Sequence, residues 1–169
     1  SATDITIKAY REMLQTSTTV GTVFQAYLFR TLDDIKNIQN DQLNFRLCKG
    51  IYKESEDISI QDRKHINENY LKILRYAFTA ENYVGIATHD IDLLKEIYSL
   101  IDELNVSPSR FEFQILYGVP MSGWLEKHLE NKFKVRIYVP FGPDWYEYSI
   151  RRLKENPNIA AYVIKNLFR

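Results

Sequence analysis

The segment YVGIATHDIDLLKEIYSLIDEL, residues 83–104, contains the unit that decides the fold. It begins with a short apolar run, YVGIAT, of the kind found in buried strands, and continues with apolar residues at helical spacing. Asp90 lies between the two patterns and is a suitable helix N-cap, since its carboxylate can accept a hydrogen bond from the first turn. A buried strand that leads directly into an amphipathic helix indicates a β-α unit of a parallel sheet.

The same alternation of strand and helix patterns recurs along the chain. Strands are predicted at residues 19–28, 44–52, 83–88, 111–118 and 134–140, and helices at 31–39, 60–78, 90–104, 122–131 and 144–156, with one more helix before the first strand and another after Pro157. In the helix at 60–78, apolar residues at three- and four-residue spacing predict one buried stripe, made of Ile66, Tyr70, Ile73, Leu74 and Ala77. We therefore predict an α/β fold with about five parallel strands that alternate with helices.

Five β-α units leave two architectures open. An eight-stranded (β/α)8 barrel takes about 250 residues, so the 169 residues here are too few to close one. The chain is predicted either as a self-contained, doubly wound sheet or as the C-terminal part of a TIM-like (β/α)8 barrel whose first strands are absent from it. Residues 1–169 are expected to form a single domain, since 45% of them are hydrophobic and can bury one core.

Charge and cysteine content exclude several classes of protein. The formal net charge is zero, from 22 basic and 22 acidic residues, which argues against a nucleic-acid-binding surface. Cys48 is the single cysteine, so no internal disulfide can form and a reducing compartment, the cytoplasm, is expected. The sequence has no apolar run long enough for a transmembrane helix and no apolar signal-peptide core at its start, so neither membrane insertion nor secretion is expected.

Polar side chains are predicted near the carboxyl ends of the strands, where parallel α/β folds bind their ligands. They are Gln25, Arg46, Lys49, Thr88, His89, Gln114, Tyr117 and Tyr138. A charged side chain in a buried strand is costly unless it meets a partner, so the set indicates a polar ligand at this edge of the sheet. Arg46 taken alone is explained equally well by an internal ion pair.

Single motifs leave the chemistry of that ligand open. No G-x-G-x-x-G or Walker A loop occurs, so a phosphate cradle of either kind is excluded. His65 and His128 lie in helical patterns without acidic or cysteine residues at ligand spacing, which predicts structural roles and no metal site. Lys49 could form a Schiff base, bind a phosphate or contact a cofactor.

The segment YSIRRLKE, residues 148–155, places two adjacent arginines on a predicted helix. Tyr148, Arg151, Arg152 and Glu155 fall on one face of that helix, at i, i+3, i+4 and i+7. Surface ion pairs explain most charged helix faces, whereas two guanidinium groups beside a tyrosine also suit the bidentate capture of a carboxylate. Spacing alone leaves both explanations open.

Five motifs, taken in order, resemble the proline dehydrogenase family: FRLCKGIY at 45–52, GIATHD at 85–90, FEFQILYG at 111–118, VRIYVPFG at 135–142 and YSIRRLKEN at 148–156. The resemblance extends from about Gly21 onward. It implies a distorted (β/α)8 barrel, of which this chain is the C-terminal portion. It also implies FAD as the cofactor, oxidation of L-proline to Δ1-pyrroline-5-carboxylate, and transfer of the electrons to a quinone. A cytoplasmic protein that contacts the inner membrane peripherally is compatible with this implied activity.

The same resemblance implies roles for individual residues. Cofactor contacts are implied for Gln25, Arg46, Lys49, Gly50, Ile51, Thr88, His89 and Gln114, with Arg46 as the catalytic residue near the reactive nitrogen of the flavin. Around the substrate, Leu116, Tyr138 and Tyr148 are implied to enclose the proline ring, Arg151 and Arg152 to pair with its carboxylate, and Glu155 to orient one arginine.

Two departures from the family pattern lower the expected activity. Ile51 stands where the family usually has a smaller alanine, and the added bulk is expected to narrow the pocket or shift the flavin ring. The lysine and aspartate that the family takes from earlier strands have no counterpart here, so we expect this chain alone to bind FAD weakly and to oxidise proline poorly or not at all. The alternatives are a Schiff-base aldolase that uses Lys49, and a non-catalytic fragment whose open sheet edge pairs with a second copy.

Overall fold

The computed structural model describes residues 2–17, 19–38, 43–52, 54–119, 121–139 and 141–143. Its elements, in chain order, are α1 (Ala2–Leu14), β1 (Thr22–Gln25), α2 (Thr31–Asn37), β2 (Asn44–Cys48), α3 (Arg63–Thr79), β3 (Tyr83–Ala87), α4 (Ile91–Glu103), a 3₁₀ turn (Pro108–Arg110), β4 (Phe111–Leu116), α5 (Trp124–Glu130) and β5 (Val135–Tyr138). The predicted helices at 144–156 and after Pro157 lie outside the described residues. No helix within these ranges has both the length and the apolar character that a membrane span requires.

The order of the strands decides between the two predicted architectures. The strands lie in the sheet in the order in which they occur in the chain, and every neighbouring pair is parallel. Because parallel crossovers are right-handed, helices that connect strands in this way all pack on one face of the sheet. A doubly wound sheet would reverse its strand order and carry helices on both faces. The fold is therefore that of part of a (β/α)8 barrel, as the second architecture predicted.

Apolar side chains at alternate strand positions form the face of the sheet that the helices cover. Six of them are at most 1% exposed, namely Phe45, Leu47, Val84, Ile86, Phe111 and Phe113. Helix α3 packs its predicted stripe toward the core, with Tyr70, Ile73, Leu74 and Ala77 fully buried. Ile66, in the first turn of α3, is half-buried. The stripe is thus confirmed, and it weakens only where the helix begins.

The opposite face of the sheet is polar. Strand register places Arg46 beside Gly85, Gly85 beside Glu112, and Gln114 beside Arg136. Side chains two residues apart along a strand lie on the same side, so these residues share one face with Tyr138. We call this set the polar face, made of Arg46, Gly85, Glu112, Gln114, Arg136 and Tyr138.

Several element boundaries differ from prediction by a few residues, and two of these differences have a local cause. β1 ends at Gln25 rather than at residue 28, because the chain turns at Ala26 toward the loop that follows β2. α3 begins after Asp62 rather than at residue 60. The Asp62 carboxylate caps the helix by accepting a hydrogen bond from the N–H of His65 over 2.9 Å.

Candidate active site

Arg46, in the middle of β2, meets Gln114 of β4 and Tyr138, the last residue of β5, on the polar face. Arg46 Nη1 donates to Gln114 Oε1 over 2.6 Å, and the Tyr138 hydroxyl donates to the same oxygen over 3.3 Å. The guanidinium carbon of Arg46 lies 4.6 Å from the centroid of the Tyr138 ring, which is a cation–π distance. The structure therefore brings together two predicted cofactor contacts and one predicted wall of the substrate pocket.

Lys49 forms an ion pair with Asp90 at the start of α4. Arg63 Nη2 lies 2.9 Å from the same carboxylate oxygen, while the other oxygen accepts hydrogen bonds from backbone N–H groups in the first turn of α4. The predicted N-cap role of Asp90 is therefore confirmed. Burial alone would raise the pKa of Asp90, but the hydrogen bonds from Lys49 and Arg63 outweigh it and hold that pKa far below its ordinary value. Burial lowers the pKa of Lys49, and Asp90 partly offsets the shift.

His89 connects the end of β3 to the end of β4. Its Nε2 accepts a hydrogen bond from the backbone N–H of Leu116 over 3.0 Å, so the neutral ring carries its proton on Nδ1. Burial, and to a smaller extent the positive charge of Arg46, lowers the pKa of His89 to about 4. The neighbouring Thr88 hydroxyl accepts a hydrogen bond from the N–H of Asp90 over 3.1 Å. His89 is thus neutral at physiological pH and positioned by backbone contacts.

Comparison with known proteins identifies the family. The profile of the family described as proline dehydrogenase matches residues 1–164. The chain belongs to the proline dehydrogenase family. Proline dehydrogenase 1 of Bacillus subtilis subsp. natto is 37% identical over 164 residues, which are 97% of this chain and 54% of that protein. Proline dehydrogenase of Deinococcus radiodurans is 32% identical over 169 residues, 98% of this chain and 54% of that protein. The chain spans about half the length of these curated relatives.

Solved structures of proline utilization A (PutA) share the fold. PutA from Bdellovibrio bacteriovorus, inactivated by N-propargylglycine, matches with a TM-score of 0.80 at 22% identity, over 90% of this chain and 18% of its own. A variant of Bradyrhizobium japonicum PutA matches with a TM-score of 0.74 at 21% identity, over 92% of this chain and 18% of its own. At these identities the likeness is one of fold, and it confirms the predicted α/β architecture.

Some of the remaining predicted site residues lie within the described part of the chain, and others lie outside it. Gln25 ends β1, and Gly50 and Ile51 follow β2, so all three lie at the carboxyl edge of the sheet. Leu116 ends β4 beside His89. Four substrate residues fall outside the described residues: Tyr148, Arg151, Arg152 and Glu155. The role of each individual site residue stays a prediction.

Sequence reasoning missed two residues of the polar face, Glu112 and Arg136. Arg136 Nε donates to Glu112 Oε1 over 2.5 Å, although Glu112 is only 6% exposed. A signal for Glu112 is present in the motif FEFQ, where it precedes Gln114 by two positions and so shares its face of the strand. Arg63 was missed as well, because its contact with Asp90 joins the starts of two different helices.

Two cavities of the described structure lie away from this site. One cavity of about 370 Å³ lies at the amino edge of the sheet and is lined by residues that include Leu43, Tyr76 and Asn82. Another, of about 300 Å³, lies between α3 and α4. Neither is lined by a predicted site residue. Among the residues that the structure describes, no group of His, Cys, Asp and Glu side chains could hold a metal ion.

The half-buried His89 and the buried His128 make the stability of the chain depend on pH. His128 is fully buried and bonds through Nδ1 to the Tyr98 hydroxyl over 2.8 Å. Burial lowers the pKa of His128 to about 4, as it does for His89. Both values lie below the pKa of about 6.5 expected in the unfolded chain. Between pH values of about 4 and 6.5, the unfolded chain binds more protons at these two histidines than the folded chain does. The free energy of unfolding therefore decreases as the pH falls from about 6.5 toward 4. Above about pH 6.5 both states leave the histidines neutral, so these groups no longer make the stability depend on pH.

We expect the free energy of unfolding to fall by about 5 kcal/mol between pH values of about 6.5 and 4, because each of the two histidines contributes about half of that change. Urea unfolding at a series of pH values measures this slope. His128→Phe is expected to remove about half of it, because the new ring can keep the stacking on Phe113 without titrating. His65→Asn is the comparison at an exposed site: the His65 side chain is 66% exposed and pairs with the exposed Asp62, so the substitution should change the slope much less than His128→Phe does. Equal slopes for wild type and His128→Phe would contradict the expectation.

Proposed function

We propose that this chain carries flavin-binding and proline-binding residues of an FAD-dependent proline dehydrogenase. The proposed reaction is the oxidation of L-proline to Δ1-pyrroline-5-carboxylate, with the electrons passed to a quinone. The observation that carries the proposal is the half-buried Arg46 side chain, which Gln114 and Tyr138 hold on the polar face of a barrel-type sheet. Such folds bind their ligands at the carboxyl ends of the strands, and family membership supplies the reaction class.

The residues at this edge suit an anionic flavin cofactor. A guanidinium has five N–H donors, and the hydrogen bond to Gln114 uses one of those of Arg46. Lys49 and Arg63 add two cations that share the single carboxylate of Asp90. When bound, FAD supplies the redox chemistry, while the protein supplies orientation and charge. The positive charge of Arg46 would favour the anionic form of the reduced flavin.

The remaining roles follow from the same proposal. Gln25, Lys49, Gly50, Ile51, Thr88, His89 and Gln114 contact the cofactor together with Arg46. Leu116, Tyr138 and Tyr148 enclose the proline ring. Arg151 and Arg152, one of them oriented by Glu155, hold the substrate carboxylate. Two forked guanidinium groups fix both the position and the tilt of a carboxylate, so the carbon to be oxidised faces the flavin in one orientation.

A Schiff-base aldolase that uses Lys49 is the second candidate, and the ion pair with Asp90 weighs against it. A nucleophilic lysine has to lose its proton, and burial favours this by lowering the pKa of Lys49, whereas the Asp90 carboxylate in contact with the amine favours the ammonium form. A non-catalytic fragment is the third candidate. It is compatible with a chain that spans about half the length of its relatives.

A flavin titration of the purified chain, followed by absorbance between about 350 and 500 nm, tests cofactor binding. A dye-reduction assay with proline tests turnover, which we expect to be low. Arg46→Met is expected to weaken flavin binding about 10- to 100-fold, because hydrogen bonds from charged groups contribute about 1.5–3 kcal/mol. Arg75→Met is the matched control, since Arg75 pairs with Glu103 on the helix-covered side of the sheet.

The outcomes separate the candidates. Flavin binding that Arg46→Met weakens and Arg75→Met leaves intact supports the proposal. Wild-type protein without any flavin binding, or equal binding by the two variants, contradicts it. Borohydride trapping of a carbonyl substrate on Lys49, without a flavin spectrum, would identify the aldolase instead.

A further inference from the structure

Glu112 is the centre of a hydrogen-bond network on the polar face. Its Oε1 accepts from Arg136 Nε over 2.5 Å and from Gln114 Nε2 over 2.7 Å. Its Oε2 accepts from Arg136 Nη2 and from the Tyr83 hydroxyl, each over 3.1 Å. Burial would raise the pKa of Glu112, but the hydrogen bonds from Arg136 and Gln114 outweigh it and lower that pKa. Glu112 is therefore ionised at neutral pH, and an ionised carboxylate can only accept hydrogen bonds.

This network fixes which way the amide of Gln114 points. Since Glu112 can only accept, Gln114 has to turn its NH₂ group toward Glu112. Its carbonyl oxygen then faces the two donors on its other side, Arg46 and Tyr138. A flipped amide would set its oxygen against the carboxylate and its NH₂ group against the guanidinium, so both contacts would become repulsive. Glu112 thus determines the orientation of the acceptor that holds Arg46.

Gly85 leaves the space that this arrangement needs. Gln114 lies on β4 and Arg46 on β2, so the amide has to cross β3 to reach the guanidinium. It crosses directly over Gly85, where an added Cβ would lie 2.3 Å from Gln114 Nε2 and 2.7 Å from its Cδ. Real Cβ atoms essentially never approach other heavy atoms so closely, so even an alanine at this position would displace the amide.

We propose that Glu112 is a positioning residue that orients Arg46 through the amide of Gln114. We call these two consecutive contacts the relay, and we propose that Gly85 provides the space that the relay needs. Its consequence for catalysis rests on the proposed function, in which Arg46 contacts the flavin. The orientation of Arg46 does not depend on the proposed function, because Glu112 and Gln114 lie on the same strand and contact each other and Arg46 in the protein without a cofactor.

Nitrogen-15 NMR of the full chain without flavin tests the relay directly. The readout is the rate at which the Arg46 guanidinium rotates about its Nε–Cζ bond, with the signal assigned by its loss in Arg46→Lys. In both Glu112→Gln and Gly85→Ala we expect rotation to become about tenfold faster, since a lost charge-assisted hydrogen bond changes such a rate by about this factor. Glu103→Gln is the matched control, because it removes a carboxylate that holds Arg75 bidentately. It should accelerate Arg75 and leave Arg46 unchanged.

A double-variant cycle shows whether the effect of Gly85 passes through Gln114. Gln114→Ala alone should free Arg46, and adding Gly85→Ala to it should change the rotation no further. Unchanged Arg46 rotation in Glu112→Gln, in protein whose thermal unfolding shows that it is folded, would overturn the proposal. If Gly85→Ala and Gln114→Ala change the rotation rate of Arg46 additively, the proposed role of Gly85 is wrong.

Flavin titration of the same variants adds the functional readout. Weaker flavin binding by Glu112→Gln than by Glu103→Gln would show that the orientation of Arg46 also affects cofactor binding. If the wild-type chain binds no flavin at all, the proposed function fails, while the NMR rates still decide whether Glu112 positions Arg46.

Discussion

Asp90→Ala is expected to lower the free energy of unfolding by about 3–4 kcal/mol. The Asp90 side chain is 8% exposed and is shared by Lys49 and Arg63. Removing it leaves the Lys49 ammonium, which is 21% exposed, in a largely desolvated position without that carboxylate. Leaving a charge behind in this way costs about 2–3 kcal/mol at a partly buried site. The substitution also removes the side-chain cap of α4, which contributes about 1 kcal/mol.

Two further variants separate the ion pair from the cap. Asp90→Asn keeps a capping oxygen and loses only the charge, so we expect it to cost about 2–3 kcal/mol. Asp92→Ala is the matched control on the same helix, since Asp92 is 83% exposed and pairs with the exposed Lys95. It should cost less than about 0.5 kcal/mol. Urea unfolding measures all three variants, and equal costs for Asp90→Ala and Asp92→Ala would show that the shared carboxylate does not stabilise the fold.

Gly50→Ala is expected to cost about 3 kcal/mol or more, because it combines backbone strain with a steric clash. Gly50 has a φ of +104°, in the region that favours glycine. An added Cβ would also lie 2.1 Å from Cδ1 and 2.4 Å from Cε1 of the Tyr27 ring. Tyr27 is 5% exposed and cannot move aside freely. The loop after β2 would therefore have to shift, and it carries Lys49, one of the proposed cofactor contacts.

Gly118→Ala provides the control for strain without a clash. Gly118 has a φ of +82°, but an added Cβ would meet nothing within 4 Å. We expect it to cost about 1–2 kcal/mol, which is the usual cost of an alanine in this backbone region. Thermal and urea unfolding of the two variants measure the difference. Equal costs at Gly50 and Gly118 would mean that the close approach of Tyr27 places no constraint on the loop.

Local patterns predicted the elements of the fold well. In residues 83–104, the apolar run forms β3, Asp90 caps the helix, and the amphipathic run forms α4. These predictions hold because strand and helix periods and N-caps act over a few neighbouring residues. The order of strands in the sheet is a property of the whole chain, so local patterns alone left a doubly wound sheet and a partial barrel open. The resemblance to the proline dehydrogenase family implied the partial barrel, and the sequential strand order confirms it.

The sequence by itself determined which polar residues belong to the strands and share a face, because side chains alternate between the two faces along a strand. Only the tertiary structure decided their partners. Arg46 and Gln114 are separated by 68 positions and Lys49 and Asp90 by 41. These pairs meet through strand register, and the first also needs the clearance over Gly85. Register and clearance are properties of the assembled sheet, so no local propensity of the chain encodes them.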